Sequence, residues 1–134
     1  MKQTFSDSPY ASFPAAVPAN LVGLEGYAVE LVPGTTTIQL YTATAGRPLL
    51  GWLFERLEGD VTWNVHLIGK GGTVRAVAGD GSIGQAPCYV KAQNGGTMVL
   101  ANSGDLAHGY KINPSVADAQ GDVIEINDNF IRVP

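Results

Sequence analysis

Charge is scarce in this chain, and so are the residues that usually carry chemistry. Only 15% of the 134 residues are charged, and the eight basic ones are scattered singly within a net charge of −4. Gripping a phosphate backbone needs clustered Lys and Arg, so no nucleic-acid partner is expected. The lone cysteine, Cys88, excludes an internal disulfide and gives no metal framework. In Pro87-Cys88-Tyr89-Val90 it is expected to be a small buried residue. His66 and His108 are the only histidines. No apolar run is long enough to span a bilayer as a helix, and the N-terminus lacks the apolar core of a signal peptide. These absences predict a protein made in the cytoplasm, with no membrane partner, that stays soluble or joins an assembly formed there.

What the chain has in quantity is glycine, 17 residues, with eight prolines and 45% hydrophobic residues. Its length suits one domain able to bury a core. In Val61-Thr62-Trp63-Asn64-Val65-His66-Leu67 the odd positions are apolar and the even ones polar, the period of a half-buried strand. That pattern puts Trp63 in the core and His66 on the solvent face. Gly69-Lys70-Gly71-Gly72-Thr73 has the flavour of a phosphate loop, but the lysine precedes the last glycines and no helix follows. It is expected to be a hairpin turn, with glycine supplying positive φ. Gly95-Gly96-Thr97-Met98 echoes Gly71-Gly72-Thr73-Val74, and Asn94-Gly95 is a strong hairpin signal.

Further strands are expected at Tyr27–Val32 and Thr36–Thr42, joined by Pro33-Gly34, and at Thr73–Ala78, Pro87–Gln93 and Thr97–Ala101. Asp122–Ile126 and Asn129–Val133 close the chain, separated by an Asn-Asp turn. Leu49–Leu57 carries helical spacing, but Gly51 and Gly59 favour a strand. Ser115–Gln120 fits one helical turn. The fold class is all-β, a small barrel or sandwich of short antiparallel strands.

Residues 1–23 differ from residues 24–134, which make the β domain. Pro9, Pro14 and Pro18 favour extended backbone, with Phe5, Tyr10 and Phe13 between or before them. One reading is a disordered terminus. The other is an extended arm whose aromatics and prolines dock on a neighbouring subunit, since disordered tails are poor in aromatics.

No catalytic, cofactor or metal residues are assigned. Gly81-Ser82-Ile83-Gly84 lacks the first glycine of a nucleophile elbow, Asp80 standing in its place, and is expected to be a turn. His108 is placed in a loop. Asp122, Glu125 and Asp128 lack the spacing of a calcium loop and are expected to solubilise an edge.

An ordered series of small features resembles the capsid decoration, or cement, proteins of tailed bacteriophages. It runs through Glu25-Gly26-Tyr27-Ala28-Val29, Arg47-Pro48-Leu49-Leu50-Gly51-Trp52-Leu53, Val65-His66-Leu67 and Val77-Ala78-Gly79-Asp80-Gly81-Ser82-Ile83-Gly84. Asn94-Gly95-Gly96 and Gly121-Asp122-Val123-Ile124-Glu125-Ile126 complete it. The resemblance implies a non-enzymatic structural protein on the outer surface of the virion. It would form homotrimers or other homo-oligomers and clamp neighbouring copies of the major capsid protein, without a cofactor. Phe5, Pro9, Tyr10, Phe13, Pro14 and Pro18 are then the candidate interface residues. The alternative is a carbohydrate-binding β module of a phage tail or fibre, which needs Trp or Tyr exposed on one face.

Overall fold

The computed structural model describes residues 8–113 and 119–134, and these are all β apart from a 3-10 turn at Pro18–Asn20. Ten strands form two antiparallel five-stranded sheets. The first contains β1 (Tyr10–Pro14), β2 (Ala28–Leu31), β3 (Ile38–Leu40), β4 (Gly51–Arg56) and β5 (Thr62–Leu67), in the order β1-β5-β4-β2-β3. The second contains β6 (Thr73–Val77), β7 (Cys88–Ala92), β8 (Met98–Leu100), β9 (Leu106–Lys111) and β10 (Val123–Arg132), in the order β6-β10-β9-β7-β8.

The two orders are the same: first, fifth, fourth, second, third. The correspondence extends to single residues. Ala15, just after β1, bridges to Ile38 of β3, and Ala78, just after β6, bridges to Met98 of β8. Each bridge brings the two edges of its sheet together, so both sheets curl. Val29 pairs with Leu40 as Val90 pairs with Leu100. Gly51 lies where a Cβ would strike the His66 carbonyl of β5, and Gly109 where a Cβ would come 2.6 Å from the Asn127 carbonyl of β10. Gly51 therefore belongs to a strand because two backbones approach closely there. Even an ion pair recurs with its signs exchanged. Glu30 of β2 faces Arg47 at 3.7 Å, and Lys91 of β7 faces Asp105 at 2.9 Å.

Each sheet has its own core. Leu21, Val29, Ile38, Leu53, Trp63 and Val65 fill the first, with Phe13 packed on it. Val74, Ala76, Ile83, Val90, Met98, Ile124 and Ile126 fill the second, closed by Ala28 and Trp52 from the first sheet. Burial of one Val, Leu, Ile or Met side chain contributes about 1.5–3 kcal/mol. Trp52 joins the halves, since it sits on β4 yet packs into the second core.

Several expectations need correction. Residues 10–14 are not a separate arm but an edge strand of the domain itself, with Phe13 opposite Trp63. Hydrogen bonds from Leu67 N–H to the Pro9 carbonyl (2.7 Å) and from Ala15 N–H to the Val61 carbonyl (2.9 Å) fix the register. In that register odd residues bond to β5 and even ones face outward, so the missing N–H of Pro14 costs no ladder bond. The division at residue 23 therefore cuts through one sheet. Gly69–Gly72 is a turn with positive φ at Gly69, Gly71 and Gly72, but not a hairpin. It carries the chain from β5 in one sheet to β6 in the other. The Asn-Asp turn expected near the C-terminus is absent, because β10 runs unbroken through it with a register shift between Asp128 and Ile131. The turn at Asn94-Gly95 does join a hairpin, β7 with β8. Residues 114–118, most of the expected helical turn, lie outside the described residues.

Candidate functional site

A cleft of about 310 Å³ opens between the halves, with Tyr10, Leu53, Phe54 and His66 on one side and Thr73–Val77 of β6 on the other. Three features of the sequence shape it. On β6, Ala78 N–H bonds to Asp122 and Asp128 N–H to the Gly72 carbonyl, so even-numbered residues face β10. The N–H and C=O groups of Thr73 and Arg75 consequently point away from β10, while Val77, also turned away from β10, lies beside the parallel bridge from Ala78 to Met98 of β8. The register shift between Leu53 and Glu55 turns Phe54 outward, 48% exposed. Its ring lies 4.7 Å from that of Tyr10, at 33°.

His66 lines this cleft although only 3% exposed. Its Nε2 lies 3.0 Å from Asp128 Oδ2, a bond from β5 to β10 that ties one half to the other. With Asp128 as a carboxylate, Nε2–H is the donor, and the Tyr10 ring packs edge-on at 5.4 Å. The second Asp128 oxygen, Oδ1, is buried without a hydrogen-bond partner among the described residues. An imidazole held by a carboxylate has a fixed ring orientation, which suits it to present its other nitrogen to a ligand.

His108 is a different case. It lies on β9, where its Nδ1 accepts the Ala92 N–H at 2.9 Å between the rings of Tyr41 and Phe130. Burial, and then the charge of Lys91, push its pKa down to about 4. It is a neutral acceptor that replaces a backbone partner. Glu30, fully buried, accepts from Thr42 N–H (2.8 Å), Thr42 Oγ1 (2.9 Å) and Gln39 Nε2 (2.9 Å). Lys111, also fully buried, donates from Nζ to the Gly84 carbonyl at 2.8 Å. Both groups hold turns in place.

The described candidate interface residues have different surroundings. Phe5 lies outside the described residues. Phe13 packs on the first core, and Pro9 and Pro18 each give a carbonyl to a backbone bond. Among the five described candidates, Tyr10 alone lines the cleft. Trp52 and Trp63 are fully buried, so neither offers a platform for a sugar. His66 and Asp128 are buried rather than solvent-facing, and His108 is on a strand rather than a loop. Cys88 is half-buried, its thiol 3.7 Å from the Gly84 carbonyl. Gly81–Gly84 is the turn expected. Ser82 N–H bonds to Asp80 Oδ1 at 2.9 Å, and Ile83 is buried in the second core.

No protein-family model matches this chain, and no curated protein matches it.

Proposed function

We propose that this chain is a structural protein of a tailed-phage virion, which binds the outer capsid surface as a trimer or other homo-oligomer and clamps neighbouring capsid subunits. The ordered sequence features that resemble decoration proteins supply the class. The observation that carries the reading is the exposure of large apolar side chains on a frame whose two cores are already filled. Val17 and Val22 flank the 3-10 turn at 52% and 49% exposure, and Val61 and Val123 are 52% and 55% exposed. Interface cores are poor in charge and more apolar than the rest of a protein surface. A stiff β frame loses little entropy when it docks, and many symmetric copies multiply weak contacts. Attachment through these side chains replaces attachment through a free arm, because Phe13 is committed to the chain's own core.

The experiment mixes the purified protein with expanded, undecorated phage heads and measures co-sedimentation. Burying the exposed part of each valine contributes about 1 kcal/mol, so Val17→Ser with Val22→Ser should weaken occupancy about 30-fold without changing the unfolding temperature. An intact protein that binds no head overturns the proposal. Unchanged binding by the double variant moves the contact elsewhere on the surface.

A further inference from the structure

We infer that the cleft between the halves is a binding site for a saccharide, held against the Tyr10 and Phe54 rings. This is independent of capsid attachment, and it needs neither tryptophan.

The ligand must match three things at once. The first is an apolar wall, formed by two aromatic rings that are 36% and 48% exposed. The second is the outer edge of β6 at Thr73, whose N–H and C=O point away from β10 and offer a donor and an acceptor. The third is a polar rim with a cation and an anion, Arg75 and Glu25, and a buried imidazole oriented by Asp128. A pyranose has an apolar face of C–H groups and a girdle of hydroxyls, each both donor and acceptor. It meets all three. A lipid chain leaves the polar groups unpaired, at a cost for each. A polyanion meets a chain of net charge −4.

The nearest competitor is an extended peptide added to the β6 edge. It is opposed by Gly26, which lines the same cleft. A Cβ there would lie 3.4 Å from the Arg75 carbonyl oxygen and 3.7 Å from Ala76 Cα. Neighbouring strands run about 4.8 Å apart, so the Gly26 backbone already occupies the flank an added strand would need. What remains open is a short cleft near the low end of the usual ligand-pocket range of about 300–1,000 Å³.

The test probes a printed array of glycans ending in glucose, galactose, mannose, N-acetylglucosamine or sialic acid with the intact, full-length protein. The expected result is binding to a restricted set of termini. Phe54→Ala and Arg75→Ala, both at exposed positions, should each lower it by about tenfold while circular dichroism and unfolding temperature stay put. Phe54→Tyr, which keeps the ring, should retain it. Three outcomes overturn the inference: no glycan bound, binding that survives both Phe54→Ala and Arg75→Ala, or a peptide array bound through the same residues in place of glycans.

Discussion

Replacing His108 with glutamine should remove a specific part of the protein's acid sensitivity. The folded state holds His108 neutral, with a pKa of about 4 against an ordinary 6.5, because the ring is buried and Lys91 is close. The unfolded chain binds that proton more readily, so stability from the neutral ring is full above the unfolded value and is lost as pH falls towards the folded one. Taking those two values, lowering the pH from about 7.5 to about 5 should cost about 2 kcal/mol of unfolding free energy through this one residue. The window is well chosen against the carboxylates. Hydrogen bonds from Lys91 and the Asn102 N–H hold Asp105 below its usual range, and Ser82 does the same for Asp80, so their contributions fade only at lower pH. Glutamine at position 108 keeps an acceptor for the Ala92 N–H but does not titrate. Urea denaturation of both proteins at the two pH values gives the comparison. The wild type should lose about 2 kcal/mol more than the variant. An equal loss in both refutes the account of His108 as a buried neutral acceptor. Leucine in its place strands the Ala92 N–H and should cost about 1–3 kcal/mol at every pH.

Glu30→Ala should destabilise the fold by about 3–5 kcal/mol in thermal or urea unfolding, since it strands donors from Thr42 and Gln39 in a buried site. Arg47→Ala, which removes only a partly exposed partner, should change stability by less than about 1 kcal/mol. Gly109→Ala drives a Cβ onto the Asn127 carbonyl and should cost at least about 1–3 kcal/mol, with Gly51→Ala at the equivalent site behaving alike. Deleting residues 2–22 should abolish cooperative unfolding and amide dispersion in NMR spectra, because it removes β1 together with Phe13, Ala15 and Leu21 of the first core.

The strands were legible wherever one face met a core and the other met water. The alternation of Val61–Leu67 located β5, and Pro33-Gly34 and Asn94-Gly95 located two hairpins. Alternation failed where both faces are covered. His66 sits on the polar side of its strand, yet that side meets the second sheet, and its partner Asp128 is 62 residues away. No local signal marks such a pairing. The arm misled for a related reason. Spaced prolines do favour extended backbone, and an edge strand is extended backbone, but which side each proline nitrogen faces depends on a register set by β5. The cleft was hidden because Phe54 points outward through a register shift, which an alternating pattern cannot anticipate. The repeated sheet showed in the sequence only as glycine turns, since the residues shared at equivalent positions, such as Ala15 and Ala78 or Val29 and Val90, are scattered singly, while Glu30 and Lys91 exchange charge.

That exchange bears on how the chain avoids confusing its own halves. Two sheets with the same strand order offer each strand a second berth, in the other half or in a neighbouring chain during synthesis. The reversed ion pairs discriminate between the berths. Correctly placed, Glu30 meets Arg47 and Lys91 meets Asp105. With β2 and β7 interchanged, Glu30 would meet Asp105 and Lys91 would meet Arg47, each buried or half-buried against its own sign. The misassembled form carries two repulsions where the native form has two attractions, and specificity comes as much from what is disfavoured as from what is gained. The opposite polarity of the two pairs thus works as a molecular key that lets a duplicated scaffold fold without trading parts.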